Sequence, residues 1–262
     1  MKNELEISVI QSKIICKNKS ANLKCFDKQI SEIKSSDIIL LPEMFNSGFY
    51  PKEKKLAEKM DGETVNWMLQ KSIKNKCSIA GTLMILEGTK IYNRLVWVNN
   101  KQEIFFYDKV HLFSMGKEDK HINKGNKRLI IEDYGWKICP LICYDIRFPV
   151  FSRNNVNYDI LVYLANWPIA RIEAWDILLK ARAIENQCFT FGVNRVGIDN
   201  NHVKYNGSSA AYNYSGKKIL STTRNTVCVN SVKIYKSEIE TYRKKMNFLN
   251  DMEEYRLTSV QG

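Results

Sequence analysis

The hydrophobic positions along the chain predict alternating helices and strands. Apolar residues at helical spacing mark an early helix (Leu23, Phe26, Ile30, Ile33) and a long later one (Ile172, Trp175, Leu178, Leu179, Ala183). A further helix is predicted at 61–75, with Asp61 as its amino-terminal cap. The predicted strands lie within 1–10 and at 38–43, 78–84, 92–98, 103–108, 129–132, 136–142, 160–164, 189–193 and 226–232.

Three of these strands end in residues with chemically useful side chains. Glu43 follows one apolar run, Lys109 follows another, and Cys143 ends the run that starts at Ile138. A free Cys among Ile and Leu is usually a small core residue, and each of the other two is more often structural than catalytic. A parallel-type sheet, however, could bring all three strand ends to one edge, which is where α/β sheets place ligands and nucleophiles. Together the three therefore predict a site.

The segments around these residues resemble the Glu, Lys and Cys motifs of the nitrilase superfamily of carbon–nitrogen hydrolases. They are 41–43, 107–113 and 142–149, in the superfamily's usual order and spacing. The resemblance continues through 165–168, 181–187 and 192–197 to the tail at 242–245, so it covers nearly the whole chain. The later segments are most similar to bacterial omega-amidases, which hydrolyse the terminal amide of 2-oxoglutaramate and related dicarboxylate monoamides.

The resemblance implies both a fold and a reaction. The fold is α/β, a four-layer α-β-β-α sandwich that dimerises through its outer helices to give eight layers. The reaction is hydrolysis of a small-molecule amide through a Cys thioester, without a cofactor. Cys143 is the expected nucleophile, with Lys109 close enough to favour ionised sulfur. Glu43 would move the protons, and Lys109 and the backbone N–H of Tyr144 would face the oxyanion.

Glu118 stands where the superfamily usually has a second Glu shortly after the Lys motif. The resemblance implies that it holds Lys109 charged and oriented, or helps to position water. The residues around it depart somewhat from the family pattern, and Asp119 is an adjacent alternative. The alternative that Glu118 is a solvated loop carboxylate therefore remains open.

The residues that we expect to bind the substrate are Phe49, Phe113, Asn166, Trp167 and Arg171. The two Phe residues would form walls of the pocket, and the guanidinium of Arg171 would suit a substrate carboxylate. An Arg in the first turn of a helix is also a common surface group. Arg147 either contacts the substrate or forms a structural salt bridge beneath the nucleophile.

Composition favours one intracellular domain. The chain has 262 residues, of which 44% are hydrophobic, and it contains no linker-like or repetitive segment, so we expect one domain over 1–262. The amino terminus has a short alternating strand instead of a signal-peptide core, and no apolar run approaches the ~20 residues of a membrane span. The seven cysteines are odd in number and lie mostly in apolar segments, which favours reduced thiols in a cytoplasm.

Charge and metal-ligand patterns exclude other classes of function. The net charge of +12 comes from lysines scattered over several elements, with no basic stripe of the kind that binds nucleic acid, although it would attract anionic substrates. Cys139 and Cys143 are too far apart for the usual zinc pair, and the three histidines have no ligand spacing, so we expect no metal. The scarcity of histidine also disfavours a Cys-His protease, although His111 or His121 could be a partner.

Three hypotheses follow. The first is a thiol amidase of the omega-amidase type. The second is a related hydrolase of a nitrile, an N-carbamoyl compound or a deaminated-peptide amide, with the same catalytic residues and a different pocket. The third is a non-catalytic interaction protein on the same fold, which the complete set of Glu43, Lys109 and Cys143 disfavours.

Overall fold

The computed structural model describes residues 2–253. Its strands are β1 Glu4–Gln11, β2 Ile38–Leu40, β3 Ser78–Glu87, β4 Lys90–Val98, β5 Ile104–Asp108, β6 Ile131–Asp133, β7 Trp136–Ile142, β8 Ile160–Ala165, β9 Phe189–Asn194, β10 Val196–Ile198, β11 Lys204–Asn206, β12 Ala210–Tyr212, β13 Lys218–Ser221 and β14 Cys228–Tyr235. Its α-helices are α1 Lys19–Ser31, α2 Glu63–Asn75, α3 Pro149–Ser152, α4 Ile172–Asn186 and α5 Lys236–Lys245. Met1 and 254–262, which the predicted domain includes, lie outside the described residues.

The strands form two six-stranded sheets and one small hairpin. The first sheet has the order β14-β1-β2-β3-β4-β5, and the second has the order β13-β12-β9-β8-β7-β6. In the first sheet β1, β2 and β3 are parallel, and β4 is antiparallel to both β3 and β5. Two successive reversals give β5 the same direction as β2, so both strands end at one edge. In the second sheet β7, β8 and β9 are parallel and also end together.

Alternating side chains of the first sheet belong to different layers of the core. In β2, Ile38 and Leu40 join the core that includes residues of both sheets, whereas Ile39 joins the core formed with α1 and α2. A strand with apolar side chains on both faces has to be covered on both sides. Helix α4 packs against β9 and β12 on the second sheet. The layers are therefore α, β, β and α, which confirms the predicted sandwich.

The structure corrects the sequence-based prediction of the sheet. Glu43 and Lys109 follow β2 and β5 of the first sheet, whereas Cys143 follows β7 of the second. A single parallel sheet edge was therefore the wrong arrangement. The apolar pattern predicts where a strand lies in sequence, but it does not assign that strand to a sheet.

Several boundaries also differ from the predicted ones. Helix α2 begins after Gly62 and has no side-chain cap, so Asp61 is not its cap. Ile33 lies beyond the end of α1, and β6 starts at Ile131 instead of residue 129. The short strands β10 to β13 were not predicted, because elements of three or four residues carry too few apolar positions to show a period. Helix α5 was not predicted either, because it buries one apolar residue, Ile239, and so shows no apolar stripe.

Among the helices of residues 2–253, none has the length and apolar character needed to cross a membrane.

Candidate active site

The two sheets bring Glu43, Lys109 and Cys143 to one cavity. This cavity has a volume of about 550 Å³, and all three residues line it. Cys143 directly follows β7, and Lys109 directly follows β5. Glu43 lies three residues beyond β2, in a segment that is entirely buried. The strand ends singled out in the sequence therefore meet, although they come from facing sheets.

Lys109 lies between two carboxylates. Its side chain is 1% exposed, and its Nζ atom lies 2.8 Å from Glu43 Oε1 and 2.9 Å from Glu118 Oε2. Burial alone would lower the pKa of Lys109, but the charges of Glu118 and Glu43 outweigh burial and raise it above its ordinary value. Lys109 is therefore a fixed cation at neutral pH.

Glu118 is bonded to Lys109, whereas the adjacent Asp119 is not. Glu118 is fully buried, and its Oε2 atom accepts the backbone N–H of Phe113 at 2.7 Å in addition to Lys109. Burial raises the pKa of Glu118, and the Lys109 charge opposes that rise. Asp119 is exposed and pairs with Lys120 instead. The ion pair between Glu118 and Lys109 is therefore present, and the role of Glu118 in keeping Lys109 charged during the reaction stays a prediction.

Glu43 accepts hydrogen bonds on both of its oxygens. Its Oε1 atom accepts from Lys109 and from the side-chain amide of Asn93, each at 2.8 Å. Its Oε2 atom accepts the backbone N–H of Asn166 at 2.9 Å. Asn93 was missed in the sequence. The available signal was an Asn inside strand β4, where it is fully buried and precedes the apolar run 95–98.

Cys143 occupies a sharp turn between β7 and a 3-10 helix at Cys143–Arg147. Its φ is +42°, a left-handed conformation that is uncommon outside glycine and that recurs at the nucleophile turns of α/β hydrolases. Burial, followed by the charge of Glu43, raises the pKa of the Cys143 thiol well above its ordinary value, and Lys109 opposes this. Lys109 therefore acts on the thiol pKa in the predicted direction, but burial and Glu43 outweigh it, and an ionised sulfur during the reaction stays a prediction.

Asp145 anchors the turn that carries Cys143. Its Oδ2 atom accepts the hydroxyl of Tyr107 at 2.8 Å and the backbone N–H of Ile142 at 3.0 Å. Its Oδ1 atom accepts the backbone N–H of His111 at 3.1 Å, and His111 Nδ1 lies 2.7 Å away. His111 thus pairs with Asp145, and it stacks on Phe148 with ring centroids 3.7 Å apart. These contacts fasten the turn after β7 to the segment around Lys109.

The predicted substrate-binding residues Phe49, Phe113, Asn166, Trp167 and Arg171 all line the cavity, as does Tyr144. Arg171 is the residue just before α4, and its guanidinium lies 5.1 Å from the ring centroid of Phe113. The substrate contacts of these residues, and the oxyanion role of the Tyr144 N–H, remain predictions.

Arg147 also lines the cavity, where its guanidinium lies 5.0 Å from the ring centroid of Trp167. It is exposed, and it forms no ion pair with any residue of 2–253. A salt bridge beneath the nucleophile was therefore the wrong alternative for Arg147, because the carboxylate in that place, Asp145, is bonded to Tyr107 and His111.

The outer part of the cavity is basic. Apart from tyrosines, the ionisable side chains that line it away from the Glu43 cluster are Lys52, Lys117, His121, Arg147, Arg171 and one acid, Asp199. Such a lining attracts anions. Within residues 2–253, no group of three or more His, Cys, Asp or Glu side chains is arranged to hold a metal ion.

Known proteins share this chain's sequence and fold. A family model described as carbon-nitrogen hydrolase matches residues 6–244. The omega-amidase YafV of Escherichia coli is 40% identical over 253 residues, which are 97% of this chain and 98% of that protein. The 2-oxoglutaramate amidase of Bacillus subtilis is 32% identical over 197 residues, covering 73% of this chain and 76% of that protein.

A solved structure of the same superfamily has the same fold as this chain. A CN-hydrolase superfamily protein from Xanthomonas campestris, whose crystal structure holds an arsenic adduct in the active site, superposes with a TM-score of 0.95. It is 34% identical in sequence, and the match covers 98% of this chain and 100% of that one.

The charges around Cys143 predict how its reactivity depends on pH. Replacing Glu43 by Gln removes a negative charge that raises the thiol pKa and leaves Lys109 in place, so the midpoint of Cys143 alkylation by iodoacetamide should move to lower pH. The measurement is labelling followed by peptide mass mapping across a pH series. Cys139 is the internal control, since burial raises its pKa to about 12. An unchanged or higher midpoint in the Gln variant would contradict this electrostatic account.

Proposed function

The chain belongs to the carbon-nitrogen hydrolase family, as the sequence resemblance indicated, and on that basis we propose that it is an omega-amidase. It is a hydrolase that acts on non-peptide C–N bonds, and the proposed substrates are short dicarboxylate monoamides such as 2-oxoglutaramate. The proposal extends to this chain the activity for which its relatives from E. coli and B. subtilis are named.

One observation carries the chemical part of the proposal. A buried cation, Lys109, holds Glu43 beside a buried thiol, Cys143, and all three face one cavity. Because burial and the Glu43 charge raise the pKa of the thiol, attack on a substrate requires a base that removes its proton in step with bond formation. Glu43 is the carboxylate placed for that task.

In the acylation step, Cys143 Sγ bonds to the amide carbonyl carbon while the thiol proton passes to Glu43. The negative charge that develops on the carbonyl oxygen faces Lys109 and the backbone N–H of Tyr144. The tetrahedral intermediate then collapses: the C–N bond breaks, and Glu43 gives its proton to the departing nitrogen. The products are free ammonia and a thioester on Cys143.

In the deacylation step, Glu43 accepts a proton from water, and the hydroxide attacks the thioester carbonyl. The same two donors stabilise the second oxyanion. When the C–S bond breaks, the proton returns to the sulfur of Cys143 and the carboxylic acid product leaves. Lys109 stays charged throughout, because two carboxylates raise its pKa. Glu118, which pairs with Lys109 but does not line the cavity, helps to keep Lys109 charged.

The cavity supports a substrate that carries one negative charge, on a carboxylate far from the amide. Arg147 and Arg171 each place a guanidinium over an aromatic ring of the cavity wall, and neither has an ion-pair partner within residues 2–253. A guanidinium offers a planar fork that suits a carboxylate. We propose that Arg171 binds the carboxylate far from the scissile amide.

We further propose that 1–262 forms one cytoplasmic domain. The two sheets share one apolar core, and the family model spans both sheets, which supports a single domain. All seven cysteines are free thiols, which supports a reducing compartment. Recovery of the native protein with oxidised cysteines from an extracytoplasmic fraction would contradict the location.

We expect a homodimer formed through α4, giving eight layers. Ile177 and Ile184 lie two turns apart on the outward face of α4 and are 67% and 46% exposed. Light scattering on the purified protein should give twice the mass of one chain. Ile177→Glu should shift it toward the monomer, whereas Ile73→Glu, at an exposed position on α2, should not. A monomeric wild-type protein would rule out this interface.

The substrate assignment predicts a preference for charge. Succinamate and butyramide have equal chain length, but only succinamate can pair with Arg171, so its kcat/KM should be at least about a hundredfold higher. Arg171→Ala should erode that preference, and Arg224→Ala, which lies on the surface, should leave it intact. Steady-state ammonia release measures both. Equal rates on the two amides would remove the omega-amidase assignment and leave a broader hydrolase, and loss of preference in Arg147→Ala alone would move the carboxylate site to Arg147.

A further inference from the structure

We infer that Asn93 is a positioning residue that fixes Glu43 and Glu118 on Lys109, an inference that rests on the proposed thiol mechanism and deepens it. The Asn93 side chain is fully buried. Its Nδ2 atom donates to Glu43 Oε1 at 2.8 Å and to Glu118 Oε1 at 2.9 Å. A side-chain amide nitrogen carries two hydrogens, so each carboxylate receives one.

A neutral donor suits this position. Two buried carboxylates repel each other, and the single charge of Lys109 cannot neutralise both. The amide of Asn93 lets the two Oε1 atoms point toward one place without adding a second cation. It also restricts Glu43, whose other oxygen is bonded to the backbone of Asn166, so that the carboxylate has one orientation toward Cys143.

Thr82 determines which way the Asn93 amide faces. The backbone N–H of Met44 donates to Thr82 Oγ1 at 2.9 Å, and Thr82 Oγ1 lies 2.9 Å from Asn93 Oδ1. Because Oδ1 is only an acceptor, the Thr82 hydroxyl has to donate to it. The amide then presents its NH2 group to the carboxylates. Met44 directly follows Glu43, so the relay begins at the backbone beside the proposed base and ends at its carboxylate.

Asn93 also contacts Lys109, through the main chain. The backbone N–H of Lys109 donates to the carbonyl of Asn93 at 3.0 Å. One residue of β4 is thus bonded to both carboxylates of the cluster and to the backbone of its lysine. Asn93 does not line the cavity, so its effect on the reaction passes through Glu43, Glu118 and Lys109.

Two substitutions at Thr82 separate orientation of the amide from packing. Thr82→Val keeps the shape but removes the hydroxyl, whereas Thr82→Ser keeps the hydroxyl and removes a methyl group. We expect Thr82→Val to lower kcat by about tenfold or more, and Thr82→Ser to stay near wild type. A packing role predicts the reverse order. Ser as damaging as Val, or Val with wild-type kcat, would overturn the inference.

Asn93→Leu tests the donor itself. It should lower kcat with little change in KM, and it should move the acidic limb of the kcat profile to higher pH, because the Asn93 hydrogen bond is one of the contacts that lower the Glu118 pKa. Glu118 would then be neutral over a wider range of pH. In that range Lys109, Glu43 and Cys143 would be the remaining charged or titratable groups of the cluster. A purely structural role would lower the melting temperature and leave the pH profile unchanged.

Alkylation of Cys143 keeps this test separate from the substrate assignment. If the wild-type protein releases no ammonia from any monoamide, the omega-amidase proposal fails, but iodoacetamide labelling still reports the charges around the thiol. The pH midpoint of labelling should then differ from wild type in both Asn93→Leu and Thr82→Val, and the two variants should shift it in the same direction as each other. Thr82→Ser should match wild type. Coincident midpoints in all four proteins would refute the positioning role.

Discussion

The burial of Lys109 between Glu43 and Glu118 is the constraint on which the rest of the site depends. Removing one partner from a buried ion pair usually costs about 3–5 kcal/mol, because the remaining charge is left without compensation. The three side chains therefore have to stay together, and with them the ends of β2 and β5 and the 3-10 turn at Glu118–Lys120. A cation that cannot leave is also one that can face an oxyanion without reorganising.

The second sheet supplies the nucleophile and is joined to the first by polar contacts. Tyr107 and His111, which flank Lys109, donate to Asp145 in the turn that carries Cys143. Asn166, at the end of β8, donates to Glu43 from the other side. Parallel strands in both sheets end at the same side of the sandwich. These few hydrogen bonds can therefore hold the thiol of one sheet in position beside the base and the cation of the other.

The sequence was informative wherever an apolar run stopped at a reactive side chain. Glu43, Lys109 and Cys143 could be found because each follows an apolar run in the sequence, and their order resembled a known family. Assignment of strands to two sheets could not be predicted from the apolar pattern, because central strands of both sheets are buried on both faces. Asn93 was overlooked because its role depends on neighbours distant in sequence. The rise in the pKa of Cys143 depends on burial and on Glu43, which a motif does not reveal.

A covalent acyl group on Cys143 is the central claim, and a mass spectrum of the enzyme quenched during turnover of 2-oxoglutaramate tests it most directly. The account predicts an added mass equal to the acyl group left after loss of ammonia, located by peptide mapping on Cys143 and absent from Cys139. Turnover that continues with no adduct on any cysteine, or an adduct on Cys139 with Cys143 unmodified, would contradict it.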